Sequence, residues 1–179
     1  DVARKPETVG RSYLDVDVRL VDEDGRDVPP GATGEIVARS EFTMRGYWHN
    51  PEENARTKRD GWVHTGDLGT FDDEGFLSVV GRRKEVIRSA GESIFPAEIE
   101  RVLLAHPDVR EASVVGIPDP HWGEGAVAAI VPRDGAVLDA DAVIAHVRAH
   151  LAGYKKPQHV CFLPELPRTA ASRQVHKPL

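Results

Sequence analysis

The chain has 179 residues, of which 40% are hydrophobic, so it can build one or two small domains with packed cores. A formal net charge of −6 argues against a surface for nucleic acids or anionic membranes, and no apolar run approaches the roughly 20 residues of a membrane-spanning helix. The single cysteine, Cys161, excludes an internal disulfide framework and predicts a reducing, cytoplasmic location.

The first part of the chain, residues 1–82, is predicted to be rich in β-strands with one short helix. Alternating apolar and polar side chains indicate strands that bury one face, and an acidic segment with a glycine indicates the turn of a hairpin. The helix start is predicted from an asparagine cap followed by a proline. In chain order, we predict strands over residues 13–21 and 34–40, a helix from Asn50 to about Arg59, and a hairpin over 62–81 that turns at 72–75.

The second part, residues 83–179, alternates helices with strands, which indicates a compact α/β domain. The fold class of the whole chain is therefore predicted to be α+β. We predict a helix over 96–106, strands over 109–117 and 125–131, a helix capped by Asp139 or Asp141 and ended by Gly153, and a strand over 160–163 in which Cys161 is buried.

The segment 81–100, GRRKEVIRSAGESIFPAEIE, joins the two parts. Gly81 and Gly91 permit backbone turns that a Cβ atom would hinder, and Pro96 is suited to the first turn of a helix. Three basic residues follow Gly81 directly. A flexible, charged joint that runs into an ordered element is expected where two bodies meet around an anionic ligand.

Each candidate site residue has a structural alternative. Asp67, in a Thr-Gly-Asp sequence, can accept the two hydroxyls of a ribose or can cap the backbone N–H groups of a turn. Arg82 can bind a phosphate or a ribose, and Lys84 can act as a pivot, or both can belong to a solvated charged face. Trp122 can present a flat face to an adenine or a thiol-bearing arm, or can cover the core.

The sequence carries no common metal-binding or phosphate-binding motif. Because the HExxH and CxxC motifs are absent, we expect no metal site built by this chain alone. The GxxxxGK[ST] and GxGxxG loops are also absent, so a phosphate loop is expected on another part of the protein. The first residues are polar and include no methionine, and we therefore expect the chain to be part of a longer protein.

Several motifs occur in a characteristic order: VPPG and GEI at 28–36, GYW at 46–48, DGW and HTGD at 60–67, GRRKE at 81–85, ESIFPAEIE at 92–100 and LPRT at 166–169. On these motifs the chain resembles the adenylate-forming superfamily, specifically the acyl- and aryl-CoA synthetases, over essentially its whole length. The resemblance implies that residues 1–82 form the β-rich end of a large N-terminal domain and that residues 83–179 form a small C-terminal lid domain.

The resemblance also implies a two-step reaction. A carboxylate attacks ATP to give an acyl-adenylate and pyrophosphate, the lid rotates, and coenzyme A then attacks to give the thioester and AMP. ATP, Mg²⁺ and coenzyme A are the implied cofactors. The phosphate loop, the Mg²⁺ ligands and the pocket for the carboxylic acid would belong to the remaining N-terminal part of the same enzyme, so this chain alone is not expected to be active. A homo-oligomer is compatible with the sequence.

Five residues match functional positions of the superfamily. Asp67 matches the aspartate that binds the ribose hydroxyls, and Arg82 matches the arginine that also contacts the ribose. Lys84 matches the hinge about which the lid turns. Gly91 matches the glycine that lets the lid backbone line the pantetheine tunnel, and Trp122 matches an aromatic position near coenzyme A in some members.

The C-terminal end departs from the family pattern. Members end close to PRTASGK, whose lysine bridges the carboxylate and the phosphate during adenylation, whereas this chain has Arg173 at the lysine position and Ser172 at the glycine position. A planar guanidinium is not equivalent to an ammonium, yet it can bind carboxylate and phosphate bidentately. Lys177 is an alternative cation, and Ala90 stands where many members have the first glycine of a pair.

Two further hypotheses remain at this stage. The chain can belong to the adenylation domain of a peptide synthetase, which delivers its product to a carrier protein, although no carrier-domain sequence follows. It can also be a non-catalytic, lid-like interaction module, a hypothesis that the Arg173 departure alone supports.

Overall fold

The computed structural model describes residues 4–169, 175 and 177. The chain divides into two compact units, Asp1–Lys84 and Glu85–Leu179. Each unit contains a mainly antiparallel sheet together with helices, and this arrangement confirms the α+β fold class. Within the described range, every helix is too short or too polar to cross a membrane.

The first unit is built on one antiparallel sheet. Its elements are β1 (Asp17–Val21), β2 (Gly34–Arg39), α1 (Pro51–Thr57), β3 (Lys58–Arg59), β4 (Trp62–Phe71) and β5 (Leu77–Arg82). The strands follow the order β1-β2-β4-β3, and β5 also pairs with β4. A small apolar core forms around Leu20, Ile36 and Leu77. The β4–β5 hairpin, which turns at residues 72–76, confirms the hairpin predicted from the sequence.

The predicted first strand is wrong at its N-terminal end. β1 begins at Asp17 and not at residue 13. Asp15 has a φ of 63°, in the left-handed region that strand residues do not adopt, so the extended chain is interrupted there. Tyr13 and Leu14 are accordingly 81% and 78% exposed. The alternation of apolar and polar residues therefore extends over residues 13–21, whereas the strand covers only Asp17–Val21.

Helix α1 begins as its sequence predicts. The Asn50 side chain accepts a hydrogen bond from the Glu53 backbone N–H at 3.1 Å, and Pro51 occupies the first turn. The helix ends at Thr57, earlier than predicted, because Lys58 is already extended with a φ of −112°. That early end allows the short strand β3 to pair with the start of β4.

The second unit combines a sheet with two helices. Its elements are β6 (Ile87–Ser89), β7 (Glu92–Ile94), α2 (Pro96–Leu104), β8 (Val109–Asp119), β9 (Gly123–Pro132), α3 (Ala140–His150) and β10 (His159–Phe162). The strand order is β10-β9-β6-β7, β8 also pairs with β9, and β10 is the parallel strand, running alongside β9. The core is formed by Ile87, Ile94, Ile99, Leu103, Val109, Val114, Ala126, Ala128, Ile130, Val143 and Val147.

The cap of α3 confirms one of the two predicted residues: the Asp139 carboxylate accepts from the Ala142 N–H at 3.0 Å. The C-terminal ends of both helices differ from expectation. Helix α3 ends because Leu151 is extended, with a φ of −129°, and not because of Gly153, which begins a short 3-10 helix, Gly153–Lys155. Helix α2 ends at Leu104, slightly earlier than the predicted residue 106.

The predicted burial of Cys161 is wrong. Cys161 is exposed, although it lies in an apolar run. β10 is an edge strand, and its Val160 side chain packs on the core. Since successive side chains of a strand point to opposite faces, Cys161 faces away from that core.

Candidate functional site

The Thr-Gly-Asp sequence at residues 65–67 forms a bulge inside β4. The register between β2 and β4 shifts here, so that residues 65–67 lie opposite the single residue Ile36 of β2. Gly66 has a φ of 74°, which a glycine adopts without the strain of a Cβ atom. The segment therefore lies within the first strand of the hairpin predicted over residues 62–81, because a bulge re-aims side chains without ending the strand.

Side-chain hydrogen bonds hold this bulge. The Thr65 hydroxyl donates to the Ile36 carbonyl at 2.8 Å and accepts from the Asp67 N–H at 3.1 Å. The Gly66 N–H donates to the Glu35 carboxylate at 3.2 Å. Backbone groups that the irregular register removes from the ladder are thus satisfied by neighbouring side chains. The Asp67 carboxylate takes part in none of these bonds and points outward, with its side chain 34% exposed.

Asp67 and Arg82 lie directly opposite each other on β4 and β5. The Arg82 Nε lies 3.1 Å from Asp67 Oδ1, and the Arg82 side chain is 54% exposed. The structure therefore brings together the two residues that the sequence assigned to one ligand. A carboxylate and a guanidinium side by side offer an acceptor and a donor, the combination that vicinal hydroxyl groups can bind.

A polar cavity of about 290 Å³ adjoins this pair within the first unit. Thr65, Gly66, Arg82, Arg83 and Lys84 contribute to its wall, whereas Asp67 does not. Lys84 is the last residue of the unit and lies in a single turn of 3-10 helix, Arg83–Glu85. A larger cavity of about 550 Å³ in the same unit is lined mainly by apolar and loop residues and includes none of the predicted site residues.

Sequence reasoning missed Glu35. This residue is 5% exposed, yet its carboxylate contacts both the bulge and Arg83. A signal was available, because Glu35 is the charged residue in the apolar strand sequence GEIVA. A charged residue in a buried strand is rare unless another group pairs with it, so Glu35 indicates that a partner lies nearby.

The second unit brings Gly91 and Trp122 to one edge of its sheet. Ala90 and Gly91 form the two-residue turn between β6 and β7, with φ values of 52° and 83°. The Ala90 N–H donates to the Trp122 carbonyl at 2.8 Å, so the β6–β7 turn contacts the β8–β9 turn. Trp122 is 54% exposed, so about half of its side chain is open to solvent.

The β8–β9 turn that presents Trp122 is fixed by Asp119. One carboxylate oxygen of Asp119 accepts from the N–H groups of His121 at 2.8 Å and Trp122 at 2.9 Å. The same two hydrogen bonds, with His121 contributing most, lower the pKa of Asp119. The carboxylate stays charged at neutral pH and holds the backbone of the turn from which Trp122 projects.

We expect Ala90→Gly to stabilise the second unit. Ala90 is held in the left-handed region, where a Cβ atom costs about 1 kcal/mol, and glycine removes that cost while keeping the bond to Trp122. The melting temperature should rise by roughly 5 °C in calorimetry. Gly91→Ala is the matched control, since no atom lies near its added Cβ and strain alone should lower the melting temperature. Unchanged stability in both variants would contradict the prediction.

Arg173 lies outside the described residues, whereas Lys177 is described and is fully engaged. The Lys177 Nζ lies 2.7 Å from Glu100 and 3.0 Å from Glu85. Burial lowers the pKa of Lys177, but the hydrogen bonds and charges of the two carboxylates outweigh it and raise the pKa above its usual value. This double ion pair argues against Lys177 as the replacement for the family lysine and favours a structural role.

We expect Lys177→Met to destabilise the second unit by about 2 kcal/mol at pH 7, between the values for exposed and fully buried ion pairs. The substitution leaves Glu85 and Glu100 close together without their shared cation. Because the pKa of Lys177 is raised in the folded state, the contribution of Lys177 to the free energy of unfolding is complete at pH 7. It is lost only as the pH rises through that elevated pKa. Arg148→Met, on the exposed side of α3, is the control in urea unfolding. Equal effects of the two changes would refute the structural role.

The described residues contain no cluster of three or more His, Cys, Asp and Glu side chains that could hold a metal ion. Among these residues, no site for a metal ion is built from three such side chains. The cationic and carboxylate groups at the Asp67–Arg82 pair instead suit an organic ligand with hydroxyl groups.

Two family models match the chain. The model of the AMP-binding enzyme C-terminal domain matches residues 98–173, and the model of the AMP-binding enzyme matches residues 1–48. Indoleacetate–CoA ligase of Aromatoleum aromaticum is 47% identical over 173 residues, which cover 97% of this chain and 34% of that ligase. The chain thus spans about a third of the length of the relatives it matches.

Solved structures agree with these matches. o-Succinylbenzoate–CoA synthetase of Bacillus subtilis, solved with its acyl-adenylate intermediate, has a TM-score of 0.90 and 36% identity, covering 97% of this chain and 35% of that one. An amide bond synthetase of Marinactinospora thermotolerans has a TM-score of 0.85 and 42% identity, covering 91% of this chain and 33% of that one.

Proposed function

Because the chain belongs to the adenylate-forming superfamily of AMP-binding enzymes, we propose that it is the C-terminal part of an ATP-dependent acid–CoA ligase. The remaining part of the enzyme would supply the phosphate loop, the Mg²⁺ ligands and the acid pocket. This division is supported by the coverage of the relatives, of which the chain spans about a third. We further propose a cytoplasmic enzyme, a location that the single exposed cysteine permits.

The paired placement of Asp67 and Arg82 is the observation that carries the proposal. Asp67 would accept hydrogen bonds from the ribose hydroxyls of the nucleotide, and Arg82 would donate to a ribose oxygen from the opposite strand. A charged acceptor strengthens each such bond over a neutral one. The two residues would therefore hold the nucleotide while the acid carboxylate attacks the α-phosphorus and pyrophosphate leaves.

The second unit would act in the thioester step. Gly91 has no side chain, and no atom lies near the position that a Cβ would take, so its turn leaves room for the thin arm of a thiol substrate. Trp122 presents an exposed flat ring on the neighbouring turn. With the arm held there, the thiol sulfur would attack the acyl carbon, and AMP would leave. Lys84, at the junction of the two units, would be the pivot between the steps.

For the substrate we propose an aromatic or arylaliphatic carboxylic acid. The relatives named above are an indoleacetate–CoA ligase and an o-succinylbenzoate–CoA synthetase, whose names both describe acids with an aromatic ring. The pocket that would select the acid lies outside this chain on our proposal, so the support comes from the relatives and not from residues described above.

The test uses the full-length protein that contains this chain. With ATP, Mg²⁺ and a panel of aromatic acids, we expect acid-dependent exchange of pyrophosphate into ATP, and after addition of coenzyme A we expect the acyl-CoA and AMP in equal amounts. Arg173→Lys should keep or raise the exchange rate. Absence of exchange with every acid, in both forms, would favour the non-catalytic module, and a thioester formed only on a carrier protein would favour a peptide synthetase.

An amide synthetase is a second candidate, favoured by the 42% identity to the amide bond synthetase. Such an enzyme would make the same acyl-adenylate but transfer the acyl group to an amine nitrogen. Mass spectrometry of reactions offered coenzyme A and an amine together distinguishes the two, since the ligase proposal expects the thioester as the first product.

A further inference from the structure

Glu35 is a buried carboxylate at the point where the nucleotide-binding elements meet. It lies on β2 and is 5% exposed, while the surfaces that carry Asp67 and Arg82 are open to solvent. An ionised carboxylate taken out of water is costly unless it is paired and hydrogen-bonded. The contacts of Glu35 therefore tell which neighbouring groups it must hold in place.

The first oxygen of Glu35 holds the bulge. Its Oε1 accepts from the Gly66 N–H at 3.2 Å, in the middle of the Thr-Gly-Asp segment. The β2–β4 ladder is shifted here, so Glu35 takes the place of a backbone acceptor. Since Asp67 follows Gly66 directly, the position of the Asp67 carboxylate depends on this bond.

The second oxygen of Glu35 contacts the basic 3-10 turn that follows β5. Its Oε2 lies 3.2 Å from the Arg83 guanidinium, and Arg82, the ribose candidate, is the preceding residue. Because the Glu35 carboxylate is only 5% exposed, removal of the Arg83 charge would leave it without one of its cationic partners. One side chain thus contacts a neighbour of each member of the Asp67–Arg82 pair.

Two further groups complete the surroundings of this carboxylate. The His64 Nδ1 lies 3.1 Å from Glu35 Oε2 and 2.9 Å from the Arg59 guanidinium, which itself is 3.9 Å from the carboxylate. Because Arg59 only donates, Nδ1 can either accept from Arg59 or donate to Glu35, but cannot do both at once. Cationic groups therefore face Glu35 from β3 and from the 3-10 turn that follows β5.

We propose that Glu35 is a positioning residue for nucleotide binding, and that it sets the geometry of Asp67 and Arg82 by holding Gly66 with one oxygen and Arg83 with the other. This inference rests on the proposed function. In this role Glu35, which also lines the polar cavity beside the pair, would act through Gly66 and Arg83 and not as a ligand of the nucleotide. Its substitution should weaken nucleotide binding while the chemical step, once the site is saturated, is largely preserved.

The test is Glu35→Gln in the full-length protein, with AMP as the probe. Glutamine can still accept from the Gly66 N–H but loses the charge that pairs with Arg83. We expect AMP to bind about tenfold more weakly and KM for ATP to rise by a similar factor, with kcat changed much less. Glu52→Gln, an exposed acid in the first turn of α1, is the matched control and should bind AMP as wild type does.

Arg83→Gln gives a second test that leaves the buried residue Glu35 itself unchanged. Arg83 is about half exposed, so its loss should spare folding while it breaks the same link. If Glu35 acts through Arg83, the double variant should bind AMP no more weakly than Glu35→Gln alone. Strictly additive losses, or wild-type affinity in both single variants, would overturn the inference. Failure of the wild-type protein to bind AMP would instead overturn the proposed function and this inference with it.

Discussion

Asp67→Asn is expected to slow acid-dependent pyrophosphate exchange about a hundredfold in the full-length protein, because two hydrogen bonds to a charged acceptor are weakened together. Asparagine has the same shape, so the bulge at residues 65–67 should persist, held by Thr65 and Glu35. The ion pair with Arg82 is lost at the same time. The measurement is the exchange rate at saturating acid together with the dissociation constant of AMP.

The matched control for this prediction is Asp73→Asn, in the exposed turn of the β4–β5 hairpin. It removes the same charge from the same unit without touching the site, and should leave exchange unchanged. The melting temperatures of both variants should stay close to wild type, since the Asp67–Arg82 pair is partly exposed and contributes little to folding. An Asp67→Asn protein that exchanges pyrophosphate at the wild-type rate would remove this residue from the nucleotide site.

The sequence pattern predicted the β4–β5 hairpin but not that Asp67 and Arg82 face each other within it. From the pairing of Phe71 with Leu77, an uninterrupted ladder would place Asp67 opposite Gly81. A bulge in β5 shifts the register, and Asp67 comes to face Arg82 instead. Bulges depend on local twist and on which backbone groups find other partners, so residue patterns of period two do not reveal them. The family resemblance, and not the periodicity of the strands, assigned Asp67 and Arg82 to the same ligand.

Other differences have the same origin in tertiary context. Alternation over residues 13–21 indicated a strand, but a left-handed backbone at Asp15 ended it early. Cys161 was expected to be buried, as free cysteines usually are. It is exposed because it alternates with the core-facing Val160 in an edge strand. A helix cap depends on only a few neighbouring residues, and it was predicted correctly at Asn50. The Asn50 side chain makes the capping hydrogen bond that its position before a proline predicts.

Glu35 shows what a sequence hides about a site. The sequence shows a charge within the apolar strand segment GEIVA, but it does not show which groups that charge contacts. Only the folded arrangement brings its carboxylate against Gly66 and Arg83, which lie 31 and 48 positions away. Residues that position others through distant backbone contacts leave no spacing pattern to find.

Lys84→Pro is expected to separate the two half-reactions. Proline fixes φ near −65° and restricts the residue before it, so the backbone at the junction of the two units loses the freedom to rotate. If the second unit must turn about Lys84 after adenylation, thioester formation should fall by about a hundredfold or more. Pyrophosphate exchange should change by only a few fold, provided that proline is compatible with the adenylating arrangement.

Lys84→Ala is the control that isolates the backbone effect. It removes the same side chain from the wall of the cavity but keeps the rotational freedom of the main chain, so both half-reactions should continue. Single-turnover measurement of acyl-adenylate formation, followed by its consumption on addition of coenzyme A, reports the two steps separately. A Lys84→Pro protein that consumes its adenylate as fast as Lys84→Ala would mean that the two units do not turn about this residue. Equal losses of both steps in Lys84→Pro and Lys84→Ala would instead assign the effect to the ammonium group and not to a hinge.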